Sequence, residues 1–296
     1  MPKVLIIDTV NDILTDRLIK AGFEISYGID FNRDKLIQEI CNYDGIILRS
    51  RITIDKEIVD NAQNLRFVAR VGSGMESIDT AYCKAKNIVC LNSPEGNRNA
   101  VAEHCLGMLL CLNNRLLIAD AEVKSGKWNR EKNRGIEIEA KTIGIIGYGN
   151  TGSAFAEKLK GFSCNILAYD KYKSGFGNEF VKEASMQEIF AESDVLSLHV
   201  PLTDETNYLV NEAYISKFHK NITLLNTARG LVVNTSDLIN ALKTGKILAA
   251  GLDVIEYEET SFEKTKNLNS LPEFRFLAKC ENIILSPHIA GWTHES

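Results

Sequence analysis

Thr142-Ile143-Gly144-Ile145-Ile146-Gly147-Tyr148-Gly149-Asn150-Thr151-Gly152 is the stretch on which the fold turns. A short apolar run reads as a buried strand and passes directly into a Gly-x-Gly-x-x-Gly turn. The helix-like segment 153–161 follows. In that context each glycine has a physical reason: Gly147 for the tight turn, Gly149 so that the backbone can approach a pyrophosphate, Gly152 so that helix and strand pack closely. Tyr148, Asn150 and Thr151 complete the turn, and the helix N-terminus behind it offers amides and a positive dipole to phosphates. The next apolar run, Asn165–Tyr169, ends at Asp170, 18 positions after Gly152. That is close to the spacing of the acid that accepts both ribose hydroxyls and repels a 2′-phosphate, which favours NAD over NADP. Lys171 and Lys173 weaken that discrimination. The bland alternative is a tight strand–helix turn with Asp170 merely closing a strand.

Outward from this unit the pattern repeats. Apolar runs at 4–7, 45–48, 67–71, 88–91, 143–146, 166–169, 195–200, 222–225, 247–252 and 283–285 alternate with helix-like segments. The runs are continuous rather than alternating, as in strands covered by helices on both faces. The fold expected is α/β, with two Rossmann-like parallel-sheet domains. One is a flavodoxin-like substrate domain over 1–95 plus 288–296. The other is an NAD-binding Rossmann domain over 96–287, with a ligand cleft between the two. A single long helix over 100–125 is expected to join them. Ser185-Met186-Gln187-Glu188 reads as a capping box. Asn32 is expected to cap the helix that follows it, and Thr235 or Ser236 the helix over 237–243.

Composition narrows the class. A net charge of −5 over 296 residues gives the chain no overall attraction for nucleic acid or an anionic membrane. Apolar runs stay well short of the roughly 18–20 residues that span a bilayer. The opening Met1–Asp8 turns acidic too soon for a signal peptide. Seven cysteines with no Cys-x-x-Cys pair argue against a disulfide framework or a zinc site. A cytoplasmic chain with reduced thiols and no metal is expected.

Three polar landmarks follow strand-like runs in the second half: Asn226-Thr227-Ala228-Arg229-Gly230, Leu252-Asp253-Val254-Ile255-Glu256-Tyr257-Glu258, and Ser286-Pro287-His288-Ile289-Ala290-Gly291. Residues just past the C-terminal ends of parallel strands line the ligand crevice. There Arg229 can grip a carboxylate with its fork. His288 can supply the proton an alkoxide needs after hydride transfer, and Glu258 beside it would favour the imidazolium. Taken singly, each has a bland reading as a surface charge, part of an acidic loop, or a structural histidine.

In these motifs, together with the glycine turn and Ser197-Leu198-His199-Val200-Pro201-Leu202-Thr203, the sequence resembles the D-isomer-specific 2-hydroxyacid dehydrogenases over nearly its whole length. The resemblance implies catalytic roles for Arg229, Glu258 and His288. It also implies that His199, Pro201, Thr227, Ala228 and Asp253, with Arg229 and His288, line the NAD site. Leu48-Arg49-Ser50-Arg51 resembles the phosphate-approaching loop of the family's 3-phosphoglycerate dehydrogenases. Gly72-Ser73-Gly74 and Asn97 match substrate-contacting positions. The expected reaction is oxidation of 3-phosphoglycerate to 3-phosphohydroxypyruvate for serine biosynthesis, as in the short type without a regulatory domain. Hydroxypyruvate or glyoxylate reduction is the alternative, and an NAD(H)-sensing corepressor-like protein is an alternative of another class. Arg49 and Arg51 have a second reading as salt-bridging residues at a strand end. Lys127-Trp128-Asn129 resembles a dimer-contact element, so a homodimer is expected, although Trp128 reads equally well as a core residue. The family's chains continue past the histidine motif as a helix returning to the first domain. Here Ser296 stands eight positions after His288, and weak interdomain docking on that side is expected.

Overall fold

The computed structural model describes residues 1–258 and 267–295. The described chain divides into two compact units. The smaller holds Met1–Asn97 with Glu258 and the residues from His294. The larger holds Arg98–Tyr257 and the stretch up to Thr293.

The smaller unit alternates β1 (Lys3–Ile6), α1 (Asp12–Lys20), β2 (Glu24–Tyr27), α2 (Arg33–Glu39), β3 (Gly45–Leu48), α3 (Lys56–Asn61), β4 (Phe67–Arg70), α4 (Thr80–Ala85) and β5 (Val89–Asn92). The strands form one parallel sheet in the order β2-β1-β3-β4-β5. That is the flavodoxin-like order, whose switch point lies between β1 and β3. Every residue of β3 is buried, because helices cover both faces of a parallel sheet. The Asn32 side chain caps α2 by accepting the Lys35 amide.

The larger unit opens with α5 (Arg98–Asn113) and α6 (Leu116–Lys124). It continues with β6 (Thr142–Ile146), α7 (Asn150–Leu159), β7 (Asn165–Tyr169), β8 (Val181–Glu183), α8 (Met186–Glu192), β9 (Val195–Leu198), α9 (Glu212–Ile215), β10 (Ile222–Asn226), α10 (Thr235–Thr244), β11 (Ile247–Leu252), α11 (Pro272–Leu277) and β12 (Ile283–Leu285). Its parallel strands run β12-β11-β10-β9-β6-β7-β8. The six from β11 to β8 are the doubly wound dinucleotide-binding order, with the switch point between β6 and β9. Helices α5 and α7 share one face of this sheet. Val101, Cys105 and Leu109 of the first meet Phe155, Ala156 and Leu159 of the second over Ile143 and Ile145.

Several expectations needed correction. The long helix breaks into α5 and α6, bent by 58°, because Arg115 adopts a left-handed φ of 51° that a continuous helix does not allow. The cap of α10 is Asn234, which accepts the Asp237 amide, rather than Thr235 or Ser236. Residues 288–293 fall with the larger unit, tied to β11 by bonds described below. The capping box at Ser185 and Glu188 is complete in both directions. All seven cysteines are free thiols. Among the described residues, no single helix is long and apolar enough to cross a membrane.

Candidate active site

The glycine turn leaves β6 with Gly147 at φ 91°, in the left-handed region. A Cβ on Gly152 would stand 2.0 Å from the Gly147 carbonyl oxygen, so the start of α7 lies against the turn with no room for a side chain. A Cβ on Gly149, by contrast, would meet nothing within 4 Å. The turn is therefore closed toward the sheet and open at the mouth of α7, where phosphates bind to helix amides. Tyr148 stacks on Phe176, with ring centres 4.5 Å apart.

Asp170 lies at the end of β7, beside the turn. Its Oδ2 accepts the Tyr148 amide at 2.8 Å, and its Oδ1 accepts the amides of Tyr172 at 2.9 Å and Lys173 at 3.0 Å. A carboxylate has about four accepting positions. Asp170 thus fixes the turn and the following loop, and still has capacity for a ribose hydroxyl. Lys171 is bridged to Glu205 at 2.5 Å. The Lys173 ammonium donates to the Tyr148 carbonyl at 3.4 Å.

His199 follows β9 on the other side of the switch point. Its Nε2 lies 2.8 Å from Ser197 Oγ and its Nδ1 3.2 Å from Thr151 Oγ1. Burial pushes the imidazole down to about 3, so the ring is neutral and ties β9 to the first turn of α7. Pro201 is exposed, and its carbonyl accepts the Thr206 hydroxyl at 2.6 Å.

The loop after β10 is built on Asn226. Its side chain accepts the Ala228 amide and donates to the Arg229 carbonyl, each at 3.0 Å. Ala228 is buried, and the Thr227 hydroxyl lies 3.0 Å from the Cys105 thiol. Burial pushes that thiol up to about 12. Arg229 is half-buried in extended backbone, and Nη1 donates to the Ala228 carbonyl at 2.7 Å. A Cβ on Gly230 would lie 1.9 Å from the Ile255 carbonyl oxygen, so this loop and the one after β11 are in direct contact.

Asp253 sits at the base of the β11 loop and is 1% exposed. Its Oδ1 accepts the Ser286 hydroxyl at 2.6 Å and the Ile289 amide at 2.9 Å. Its Oδ2 accepts the Ala290 amide at 2.8 Å. The carboxylate is thus occupied by the histidine loop. The Asp253 carbonyl also accepts the His288 amide at 2.8 Å, and His288 itself has φ 53°. A non-glycine residue held in the left-handed region is uncommon and clusters at functional sites. Glu256 accepts the Tyr208 hydroxyl at 2.6 Å and the Thr235 amide at 3.1 Å, so it serves the N-terminus of α10. Glu258 lies half-buried two residues on, in the smaller unit. An arginine fork and a left-handed histidine on contiguous loops can bind a carboxylate and move a proton.

In the smaller unit the Leu48–Arg51 loop follows β3 at the β1/β3 switch point. Asp8 organises it by accepting the Arg49 amide at 2.6 Å and Arg51 Nε at 3.2 Å. The rest of the Arg51 fork donates to the carbonyls of Ile7 at 2.5 Å, Phe31 at 2.6 Å and Gly28 at 3.4 Å. Arg51 is therefore turned inward as a clamp on the ends of β1 and β2, which corrects the expectation that it faces an anion. Arg49 is half-buried, with Nε donating to the Thr9 carbonyl at 3.0 Å. Ser50 is buried. Arg70 holds the glycine turn by donating to the carbonyls of Arg49 at 2.9 Å and Gly74 at 2.8 Å. The Ser73 carbonyl accepts Asn92 Nδ2 at 2.6 Å, and Gly72 has φ 149°. Asn97 is half-buried at the foot of α5. Nothing local in the sequence signals the roles of Asp8 and His104, whose partners lie 41 and 182 positions away.

Residues 106–290 match the family described as D-isomer specific 2-hydroxyacid dehydrogenase, NAD binding domain. The D-3-phosphoglycerate dehydrogenase of Archaeoglobus fulgidus is 35% identical over 99% of this chain and 54% of its own length. The hydroxypyruvate reductase of Thermotoga maritima is 34% identical over 89% of this chain and 83% of its own. The structure of the Aquifex aeolicus D-lactate dehydrogenase with NAD and lactic acid superposes with a TM-score of 0.83 at 30% identity, covering 99% of this chain and 90% of that one. The chain spans about half the length of the phosphoglycerate dehydrogenases it matches. The open glycine turn and the spare capacity of Asp170 fit NAD, the cofactor of the larger unit. The chain belongs to the D-isomer-specific 2-hydroxyacid dehydrogenase family.

Proposed function

We propose that the protein is an NAD-dependent oxidoreductase of D-2-hydroxy acids, with 3-phosphoglycerate and 3-phosphohydroxypyruvate as its substrate pair in serine biosynthesis. The observation that carries the reaction class is His288. Its left-handed backbone is held by Asp253 on the loop beside β11, against which the Arg229 loop packs. Bound NAD supplies or accepts the hydride. Arg229 binds the carboxylate of the acid, His288 gives a proton to the nascent alkoxide or removes it in the reverse direction, and Glu258 favours the imidazolium. Gly72, Ser73, Gly74 and Asn97 take the rest of the acid in the smaller, substrate-binding unit, and Arg49 meets its phosphate.

Hydroxypyruvate reduction is the second reading, favoured by the inward turn of Arg51. That geometry turns one arginine of the pair away from any phosphate. Rates of NADH oxidation with phosphohydroxypyruvate, hydroxypyruvate and glyoxylate separate the two. A clear advantage for the phosphorylated acid supports the first reading, and equal or better rates without phosphate reject it.

We also propose a cytoplasmic homodimer formed through the larger unit. Trp128 is 77% exposed, which excludes the core reading. Its chain neighbour Lys127 lines a groove of about 740 Å³ together with Leu117, Ile118, Ile136 and Leu248, of which Leu117, Ile136 and Leu248 are exposed. An exposed tryptophan next in the chain to an apolar groove fits a self-complementary contact.

A further inference from the structure

Two adjacent residues of α5 reach the loops described above. Cys105 meets Thr227, and His104 Nε2 lies 2.9 Å from Ser286 Oγ. The His104 side chain is 23% exposed and stands 3.5 Å from Asp253 Oδ1. Ser286 has one hydroxyl proton and donates it to Asp253 Oδ1 at 2.6 Å. Its oxygen can therefore only accept from the histidine, and Nε2 of His104 carries the proton. The chain of bonds has one direction, from His104 Nε2–H through the Ser286 hydroxyl to Asp253. On the same carboxylate, Oδ1 receives the Ile289 amide and Oδ2 the Ala290 amide. These are the two residues that follow His288, whose own amide goes to the Asp253 carbonyl. The left-handed turn at His288 is thus over-determined by one buried acid, and that acid is oriented from behind by Ser286 and His104.

We propose that His104 is a positioning residue for His288: its Nε2–H orients Ser286 and keeps the Asp253 carboxylate in the arrangement that clamps the Ile289 and Ala290 amides. Its effect on turnover rests on the reading of His288 given above, whereas the clamp does not. A histidine that merely filled space would tolerate leucine and gain nothing from an amide donor.

The test compares His104→Leu with His104→Gln in the full chain, since a glutamine amide can donate from nearly the same place as Nε2. Hydrogen–deuterium exchange is followed on the peptide covering Ile289 and Ala290, and keto-acid reduction by NADH is measured alongside. In the leucine variant, exchange at those amides speeds up by about tenfold, the effect of one lost hydrogen bond. Its kcat falls by roughly 10- to 100-fold, as expected for a small misplacement of a catalytic group. KM for NADH stays within about twofold, since the glycine turn is untouched. Glutamine recovers most of the protection and most of the rate. Ser286→Ala reproduces the faster exchange, and adding His104→Leu to it changes nothing further, so the link is read even where the leucine variant alone folds poorly. Wild-type exchange in the leucine variant, or a glutamine variant as impaired as leucine, overturns the proposal. If the wild-type chain reduces no 2-keto acid, the functional reading fails while the exchange arms still decide the clamp.

Discussion

At the scale of single residues, the loops proposed to do the chemistry are held by acids far away in the chain. Arg229, Glu258 and His288 stand in short local motifs, so their types and spacing carry a signal. Asp8, Asp253 and His104 act through partners 41, 33 and 182 positions away. Nothing local announces that an acid after a strand serves as the anchor of another loop. Arg51 shows the converse. Two arginines in one loop suggest an anion, but unpaired carbonyls at the ends of β1 and β2 need donors, and the Arg51 fork satisfies them. Two predictions belong here. His288→Ala should lower kcat by roughly 10²- to 10⁴-fold while fluorescence titration shows that NADH still binds; turnover near wild type would remove the acid–base role. Arg229→Ala should raise KM for the keto acid far more than KM for NADH, because a bidentate carboxylate contact is lost; steady-state kinetics with each substrate varied in turn checks this.

At the scale of elements, the central strands were the easiest to read. β3, β9 and β10 are fully buried, and burial on both faces selects unbroken apolar runs. β2 (Glu-Ile-Ser-Tyr) and β8 (Val-Lys-Glu) form sheet edges, where one side faces solvent and the apolar run disappears, so neither was expected. The break between α5 and α6 was hidden because the apolar spacing continues through it. A prediction follows from the contact between β9 and α7. In the folded chain His199 titrates near 3, whereas an unfolded histidine titrates near 6.5. Between those values the unfolded chain binds a proton that the folded chain does not. The stabilising contribution is therefore full above about pH 6.5 and is lost as the pH falls toward 3, by up to about 1.4 kcal/mol per pH unit. Thermal unfolding from pH 7 to 5 should show Tm falling with acidification, and a shallower fall in His199→Gln. Parallel slopes in the two proteins would contradict the assignment.

At the scale of the whole molecule, the proposed homodimer is tested at the exposed Trp128. Trp128→Glu should shift the protein from dimer to monomer in multi-angle light scattering, because a charge at the centre of such a contact is desolvated without a partner. A dimer that survives this change would place the contact elsewhere. The inward turn of Arg51 has a consequence for the conditions under which the protein works. With that guanidinium closed into the fold, the proposed recognition of a phosphate falls to Arg49, which is half-buried. Attraction of that kind is screened by salt, with a Debye length of about 10 Å at 0.1 M and about 3 Å at 1 M. The preference for a phosphorylated over an unphosphorylated acid should then shrink as ionic strength rises, while the rate on the unphosphorylated acid stays level. On the phosphoglycerate reading, substrate choice becomes partly a property of the medium, so relative rates in dilute buffer would overstate the selectivity at higher salt.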